Sequence, residues 1–204
     1  MHVLAVFCHP NRNSFSGAVL DRFVDGVEEA GHSCEVADLY REGFDPVMSM
    51  RDMQQFEGVP MPAEVLAEQA RVELCDALCF IFPMWWYGMP AMMKGWLDRV
   101  WSAEWAYHWE HDPEGSLLKA RPCTLLVPTG ASPRQISERG YDNSIDNLWR
   151  YGVLGYCGVE PIAIHLLLDT AFDSGAHEEH LEIAYQAGFN CMLLEPSNGG
   201  GDKS

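Results

Sequence analysis

Three short segments of the chain carry concentrations of side chains that could bind a ligand. The first, residues 8–17, reads Cys-His-Pro-Asn-Arg-Asn-Ser-Phe-Ser-Gly and leads from an apolar run into a helical pattern. The hydroxyls of Ser14 and Ser16 and the imidazole of His9 stand beside the N–H groups of the first helical turn, where the helix dipole is positive. This arrangement predicts a phosphate cradle without the lysine of nucleotide hydrolases. The alternative is an ordinary helix cap made by Asn13 or Ser14.

The second segment places three aromatic residues in a row after a continuous apolar run. Residues 83–90 read Pro-Met-Trp-Trp-Tyr-Gly-Met-Pro. Three adjacent rings at the end of a buried strand cannot all enter the core. Trp85, Trp86 and Tyr87 could therefore form a stacking platform for a flat, conjugated ligand. The alternative is an aromatic cluster at a subunit interface.

The third segment, residues 129–133, reads Thr-Gly-Ala-Ser-Pro. Its small residues let the backbone approach the polar edge of a ligand closely, although the pattern also suits a plain turn. Together the three segments favour a flat, phosphorylated cofactor, and a flavin meets all three demands.

Alternating apolar runs and helical patterns indicate the elements that hold these segments. We predict strands at 2–7, 32–39, 76–83, 122–129 and 159–168, and helices at 15–30, 63–74, 90–101, 142–156 and 176–194. Five alternations are typical of an α/β protein with a doubly wound, five-stranded parallel sheet in the order 2-1-3-4-5 and helices on both faces. In such a sheet a ligand binds beyond the carboxyl ends of the strands, where all three segments lie.

Composition narrows the class of protein further. The 204 residues include 13 Lys+Arg and 30 Asp+Glu, a formal charge of −17, which argues against nucleic-acid and anionic-membrane partners. The chain has no apolar run long enough for an integral membrane segment and no signal-peptide pattern, which predicts a cytoplasmic protein. We expect one domain over residues 1–195 and a disordered tail over 196–204.

Cysteines and histidines give no metal signature. The seven cysteines lack zinc-site spacing and read as buried thiols in a reducing compartment. His177 and His180 share a helix face without a third ligand in reach, so we expect a solvated helix start and no metal.

Three blocks of sequence resemble one known family. HPNRNSFSGAVL, FPMWWYGMPAMMKGWLDRVWSAEWAY and PTGAS are similar to segments of the NAD(P)H:quinone oxidoreductases, the flavodoxin-like family that includes DT-diaphorase and its bacterial relatives. The likeness covers about residues 2–168. It implies tight binding of FMN or FAD, with FMN favoured because the long FAD-binding C-terminal extension is absent. It also implies hydride transfer from NADH or NADPH and two-electron reduction of a quinone in the same pocket, with ping-pong kinetics.

The resemblance assigns roles to particular residues. The family's substrate-enclosing aromatics match Tyr107 and Trp109, and Trp86 also faces the substrate. The family's Tyr-then-His proton relay falls on Ile136 and Asp142 in an alignment without gaps, which leaves the adjacent Tyr141 as the candidate catalytic residue. The positions that match the flavin-binding loops are His9, Ser14, Phe15, Ser16, Pro83, Met84, Trp85, Trp86, Tyr87, Thr129, Gly130, Ala131 and Ser132.

Large rings between residues 96 and 109 predict a homodimer with shared active sites, because a monomer would expose many of them. In that prediction Tyr107 and Trp109 reach the partner's flavin; the alternative is that the rings fold back onto their own sheet. Other functions also stay open. Some relatives are regulatory flavoprotein subunits of potassium efflux systems, and flavodoxins are one-electron carriers. The acceptor could instead be a nitro-aromatic, azo or pathway-specific aromatic compound.

Overall fold

The structure is a computed structural model that describes residues 1–108, 116–171 and 174–194. Its five strands are all parallel and follow the order β2-β1-β3-β4-β5, as the alternating pattern predicts. The predicted tail at 196–204 and the candidate substrate residue Trp109 lie outside the described residues. The strands are β1 (His2–Phe7), β2 (Ser33–Asp38), β3 (Ala77–Ile81), β4 (Cys123–Pro128) and β5 (Ile162–Leu167).

Seven α-helices connect and cover the strands within the described residues. They are α1 (Phe15–Glu29), α2 (Met50–Met53), α3 (Ala63–Leu74), α4 (Ala91–Val100), α5 (Pro133–Ser137), α6 (Tyr141–Asn147) and α7 (Ser174–Phe189). In the described parts of the chain, none of these helices has the length and apolarity that crossing a membrane requires.

Three helical segments differ from the prediction. The helix expected at 142–156 is α6 continued by a π-helical segment, Leu148–Leu154, and a 3₁₀ turn, Gly155–Cys157. Helix α7 ends at Phe189 and not at 194. Helix α2 forms inside a stretch expected to be irregular, because Ser49 and Asp52 form a reciprocal capping box around its first turn.

Both faces of the sheet are buried, which explains why its strands are nearly continuous apolar runs. Leu4 and Val6 of β1 face a core shared with α3, α4 and α6, whereas Val3 and Phe7 face a core shared with α1 and α7. Helices α1 and α7 cross closely at two glycines. A Cβ added at Gly26 would lie 2.1 Å from the carbonyl oxygen of Tyr185, and one at Gly188 would lie 2.1 Å from that of Phe23.

A buried ion pair anchors the segment between β2 and α3. Arg99 on α4 contacts Asp52 at 2.9 Å and Glu64 at 2.8 Å, and it donates to the carbonyl oxygen of Asp45 at 2.7 Å. Burial alone would raise the pKa of Asp52, but hydrogen bonds from Ser49 and Arg99 lower it below its usual value. This pairing lets a charged carboxylate occupy the interior and ties α2 to α4.

The tryptophans of α4 and of the segment that follows it are largely internal. Trp96 and Trp101 are buried with ring centroids 5.3 Å apart, and Trp105 lies 6.0 Å from Trp101 and donates to Glu73 at 2.7 Å. For these three tryptophans, the structure therefore agrees with the alternative stated above, that the rings pack back onto their own sheet. They no longer argue for a dimer, and that prediction rests on other surfaces.

Candidate functional site

The first loop, residues 8–14, is ordered by its own polar groups. The N–H of Asn11 donates to Nδ1 of His9 at 3.0 Å, and the N–H of Asn13 donates to the side-chain oxygen of Asn11 at 3.0 Å. The N–H of Ser14 donates to the carbonyl oxygen of Asn11 at 3.1 Å. Nδ1 of His9 also lies 2.8 Å from the carbonyl oxygen of Asn11, so both contacts with Asn11 hold the ring by its Nδ1 side and do not involve Nε2.

The first turn of α1 offers further donors. Ser14 caps the helix by accepting from the N–H of Gly17 at 3.3 Å. Among the described residues, the N–H groups of Phe15 and Ser16 meet no protein acceptor. Gly17 is required because a Cβ there would lie 1.9 Å from the carbonyl oxygen of Arg12. The turn therefore presents N–H groups at the positive end of a 15-residue helix dipole.

Arg12 does not contribute its charge to this site. Its guanidinium donates to the carbonyl oxygen of Gly17 at 3.0 Å, forms an ion pair with Asp21, and lies over the ring of Phe7 at 5.5 Å. The cationic side chain braces the outside of the loop, so anion binding here depends on backbone N–H groups, hydroxyls and His9.

The aromatic hairpin, residues 85–88, is a tight turn in an unusual conformation. Trp85 and Gly88 exchange backbone hydrogen bonds of 3.1 and 3.0 Å, and the two residues between them, Trp86 and Tyr87, have φ angles of 52° and 59°. Such turns normally use Asn-Gly, because bulky residues are strained in the left-handed region. The hairpin holds the Trp86 side chain 96% exposed at the mouth of the site.

The third loop, residues 129–132, is tied to the segment that follows β5. The N–H of Thr170 donates to the carbonyl oxygen of Thr129 at 3.0 Å, and the N–H of Asp169 donates to that of Ala131 at 3.0 Å. The Ser132 hydroxyl accepts from Gln135 and caps α5. A Cβ added at Gly130 would lie 2.9 Å from the side chain of Ala171, so a larger residue at position 130 would clash with Ala171.

The three segments meet around one cavity of about 190 Å³. Of the thirteen cofactor positions predicted from sequence, nine line it. The other four, Trp86, Tyr87, Ala131 and Ser132, are not among the lining residues, although each lies within two positions of one in sequence. The volume is below the roughly 300–1,000 Å³ of a complete small-molecule pocket, so it would hold the phosphorylated arm of a ligand and leave a ring system at the mouth. The lining residues are His9, Ser14, Phe15, Ser16, Pro83, Met84, Trp85, Pro128, Thr129, Gly130 and Thr170.

Sequence reasoning missed Pro128 and Thr170 as lining residues. Pro128 is the last residue of β4 and directly precedes the third loop. Because it ends an apolar run, the sequence indicates a core residue and not a lining residue. Thr170 follows β5, whose carboxyl end carried no motif that singled it out. The carboxyl end of a neighbouring parallel strand is the one general signal that could have found Thr170.

Tyr141 lies beside the aromatic hairpin. Its ring centroid is 4.2 Å from that of Tyr87, with the planes inclined by 39°. A hydrogen bond to the Tyr141 side chain raises the pKa of Arg139, which is exposed at the same edge. Ile136, which the gap-free alignment places on the relay, is buried in the core. A phenol supported by a cation thus stands at the mouth of the site.

Tyr107 does not line the cavity of its own chain. Its ring lies 5.7 Å from that of Tyr156, and burial raises its pKa. It is half-buried and packs against the core that α3, α4 and α6 share with the sheet.

The histidine pair on α7 is not the solvated helix start that the sequence predicts. His177 and His180 are half-buried, and their Nε2 atoms lie 2.9 Å from the carbonyl oxygen of Thr170 and 2.7 Å from that of Leu168. In the described parts of the chain, no group of three or more His, Cys, Asp or Glu side chains could hold a metal ion. All seven cysteines are free, and burial raises the pKa of Cys8 to about 12.

The fold and the position of the site define a flavodoxin-like protein, and comparison with known proteins agrees. A family model described as flavodoxin-like fold matches residues 1–187. An uncharacterized NAD(P)H oxidoreductase from Haemophilus influenzae is 31% identical over 188 residues, which cover 91% of this chain and 93% of the relative.

Solved structures extend the comparison. An NAD(P)H:quinone oxidoreductase from Methanothermobacter marburgensis superposes with a TM-score of 0.86 at 36% identity, covering 93% of this chain and 98% of that one. The general stress protein 14 of Treponema denticola, solved in complex with FMN, gives a TM-score of 0.63 at 25% identity over 94% of this chain and 99% of that one. The chain belongs to the NAD(P)H:quinone oxidoreductase family, a group of oxidoreductases with a flavodoxin-like fold.

Proposed function

We propose that the protein binds a flavin, with FMN preferred, and uses it to carry two electrons from NADH or NADPH to a quinone. The observation that carries this proposal is the meeting of three different binding surfaces around one cavity: free helix N–H groups with hydroxyls, an aromatic hairpin, and a loop of small residues. The names of the relatives support the same reaction class.

The residues at the site fit a flavin mononucleotide. The first turn of α1, with Ser14, Ser16 and His9, would hold the phosphate, because it presents several donors and a positive dipole end. Trp85 and Tyr87 would lie against the ring system, and the backbone of residues 129–132 would meet its polar edge. A bound flavin supplies the hydride acceptor and donor chemistry.

The side chains of this chain position the reactants and control protons and water. The hairpin rings limit the mouth to flat compounds, and Trp86 covers a compound stacked there and excludes water. Tyr141, held by its ring contact with Tyr87, would offer its hydroxyl proton at the ring edge. Because donor and acceptor would stack in the same space in turn, we expect ping-pong kinetics, with parallel double-reciprocal lines.

We further propose a homodimer with shared active sites. The cavity is small, and at its aromatic end Trp86 of the hairpin is more exposed than a large apolar side chain usually is. A second copy that brings Tyr107 and Trp109 over the hairpin would close that end.

A mixing experiment tests the shared sites. A Ser14→Asp protein, which cannot hold the flavin phosphate, is mixed with a Trp109→Ala protein under conditions of subunit exchange. If sites are shared, heterodimers regain activity at one of their two sites. Failure of recovery after demonstrated exchange, or a monomer by light scattering at micromolar concentration, would contradict the dimer.

The decisive experiment for the function is an absorption spectrum of the purified protein and mass analysis of its released chromophore. We expect flavin absorbance near stoichiometric occupancy, identified as FMN, that bleaches anaerobically with NAD(P)H and returns on addition of a quinone. Assays with azo and nitro-aromatic acceptors, run beside the quinone, define the acceptor class. A colourless protein that takes up neither FMN nor FAD would overturn the proposal. The seven free cysteines favour a reducing, cytoplasmic setting for this activity.

A further inference from the structure

A chain of contacts runs behind the cavity from one ligand-binding segment to another. The ring of Phe15, which lines the cavity at the first turn of α1, stacks on the imidazole of His177 with centroids 4.1 Å apart and planes inclined by 20°. Nε2 of His177 lies 2.9 Å from the carbonyl oxygen of Thr170. The N–H of Thr170 in turn donates to Thr129 in the third loop.

His177 connects the two ends of this chain of contacts, the first turn of α1 and the third loop. Its ring face holds Phe15, and its ring edge donates to Thr170, so one side chain restrains two segments that are 155 residues apart in sequence. The neighbour of Thr170, Asp169, has a φ of 56°, in the left-handed region that most non-glycine residues avoid, and the hydrogen bond from His177 adds a restraint to this segment.

We infer that His177 is a positioning residue for the cofactor site: it fixes Phe15 and Thr170 so that the first turn of α1 and the third loop keep the spacing that one ligand requires. This inference rests on the proposed flavin site. His177 does not itself line the cavity; it acts through Phe15 and Thr170, which do.

His180 provides a matched comparison on the same helix. It also donates to a carbonyl oxygen after β5, that of Leu168, at 2.7 Å. Its ring, however, is 6.5 Å from Phe15 and inclined by 60°, and Leu168 does not line the cavity. A histidine that only fastens α7 to the sheet would therefore behave like His180, whereas a positioning histidine would not.

Four variants separate the two contacts of His177. His177→Ala removes both the stack and the hydrogen bond, His177→Phe keeps a ring, His177→Gln keeps a donor, and His180→Ala is the control. We expect FMN dissociation constants, measured by flavin fluorescence quenching, to rise about tenfold for His177→Ala and by less than threefold for His180→Ala. His177→Phe and His177→Gln should each recover part of the loss, since stacking and hydrogen bonding contribute similar amounts.

A second measurement uses the flavin-free protein. Hydrogen exchange followed by mass spectrometry should show faster exchange in peptides covering residues 14–17 and 168–171 for His177→Ala, with residues 2–7 unchanged. If the wild type binds no flavin, the proposed function fails, while this measurement still decides whether His177 couples the two segments. Equal losses of flavin affinity in His177→Ala and His180→Ala, or unchanged exchange at residues 14–17, would overturn the inference.

Discussion

The two ends of the candidate site differ in how far one chain completes them. At the first loop, hydrogen bonds among His9, Asn11, Asn13 and Ser14 fix the backbone, and the donors that would meet a phosphate are already in place. At the aromatic hairpin, Trp86 projects into solvent from a strained turn. Hydrogen bonds between residues close in sequence complete the first end, whereas the aromatic residues of the second end remain exposed to solvent.

In the proposed function, this difference separates affinity for the flavin from turnover of the substrates. An anchor that binds the cofactor permanently benefits from a rigid, preorganised shape, because no ordering cost follows binding. A mouth that must admit a donor and then an acceptor has to remain accessible, so its rings cannot be packed away. Strain concentrated at Trp86 and Tyr87 agrees with the general tendency of backbone strain to cluster at functional sites.

The largest expected effect is at the anchored end. In Ser14→Asp a negative charge would stand a few ångströms from the proposed position of the flavin phosphate. The repulsion would be about 4 kcal/mol at intermediate dielectric, or about a thousandfold in FMN affinity. Aspartate is itself a good helix cap, so thermal stability should change little. Ser14→Asn is the matched neutral control. Equal FMN affinities for the two variants, measured by fluorescence titration, would show that no phosphate lies at this helix end.

A smaller effect is expected at the open end. Trp86→Ala should lower kcat/KM for quinones by about thirtyfold, because a ring that covers a stacked substrate contributes about 2 kcal/mol. FMN affinity should stay within a few-fold of the wild type, because the anchor is untouched. Trp86→Phe, which keeps a ring, should retain most activity. Steady-state kinetics at saturating NADH measure the effect, and a Trp86→Ala protein with normal quinone turnover would contradict it.

The strain itself gives a third prediction. Glycine adopts a φ of 52° without a steric penalty, so Trp86→Gly should be more stable than Trp86→Ala by about 1 kcal/mol. Urea unfolding of the two flavin-free proteins provides the measurement. Alanine is the proper reference because, like glycine, it removes the indole, but it keeps the Cβ that causes the strain. If alanine proves as stable as glycine, the turn is not strained in solution.

The smallest expected effect concerns the thiol of Cys8 at the anchored end, which should not react with an alkylating reagent. Burial raises the pKa of the Cys8 thiol to about 12, so at pH 8 roughly one thiol in ten thousand is the reactive thiolate. Iodoacetamide should leave Cys8 unmodified in the folded protein and label it fully in guanidinium chloride, as peptide mass analysis would show. Rapid labelling without denaturant would mean that the first loop opens readily and that the two ends are less different than the structure indicates.

The sheet and the anchored end follow largely from local sequence. Continuous apolar runs separated by helical patterns predict the parallel sheet and its order, since only buried strands can be so uniformly apolar. The first loop is equally local: the Asn and Ser side chains that shape it bond to backbone groups within a few positions, so its geometry is contained in residues 8–17.

Tertiary structure alone decided the remaining features, because they depend on groups distant in sequence. His177 looks solvated in sequence, yet it lies against Phe15 and Thr170 once α7 packs on α1. Helix α2 lies in an irregular-looking stretch, yet Arg99 from α4 fixes its Asp52 in the interior. Trp96 and Trp101 read as surface rings but fill the core, while Trp86 in the same kind of run is exposed. The sequence shows which residues are apolar. Only the packing of elements distant in sequence determines which of them are buried and what they contact.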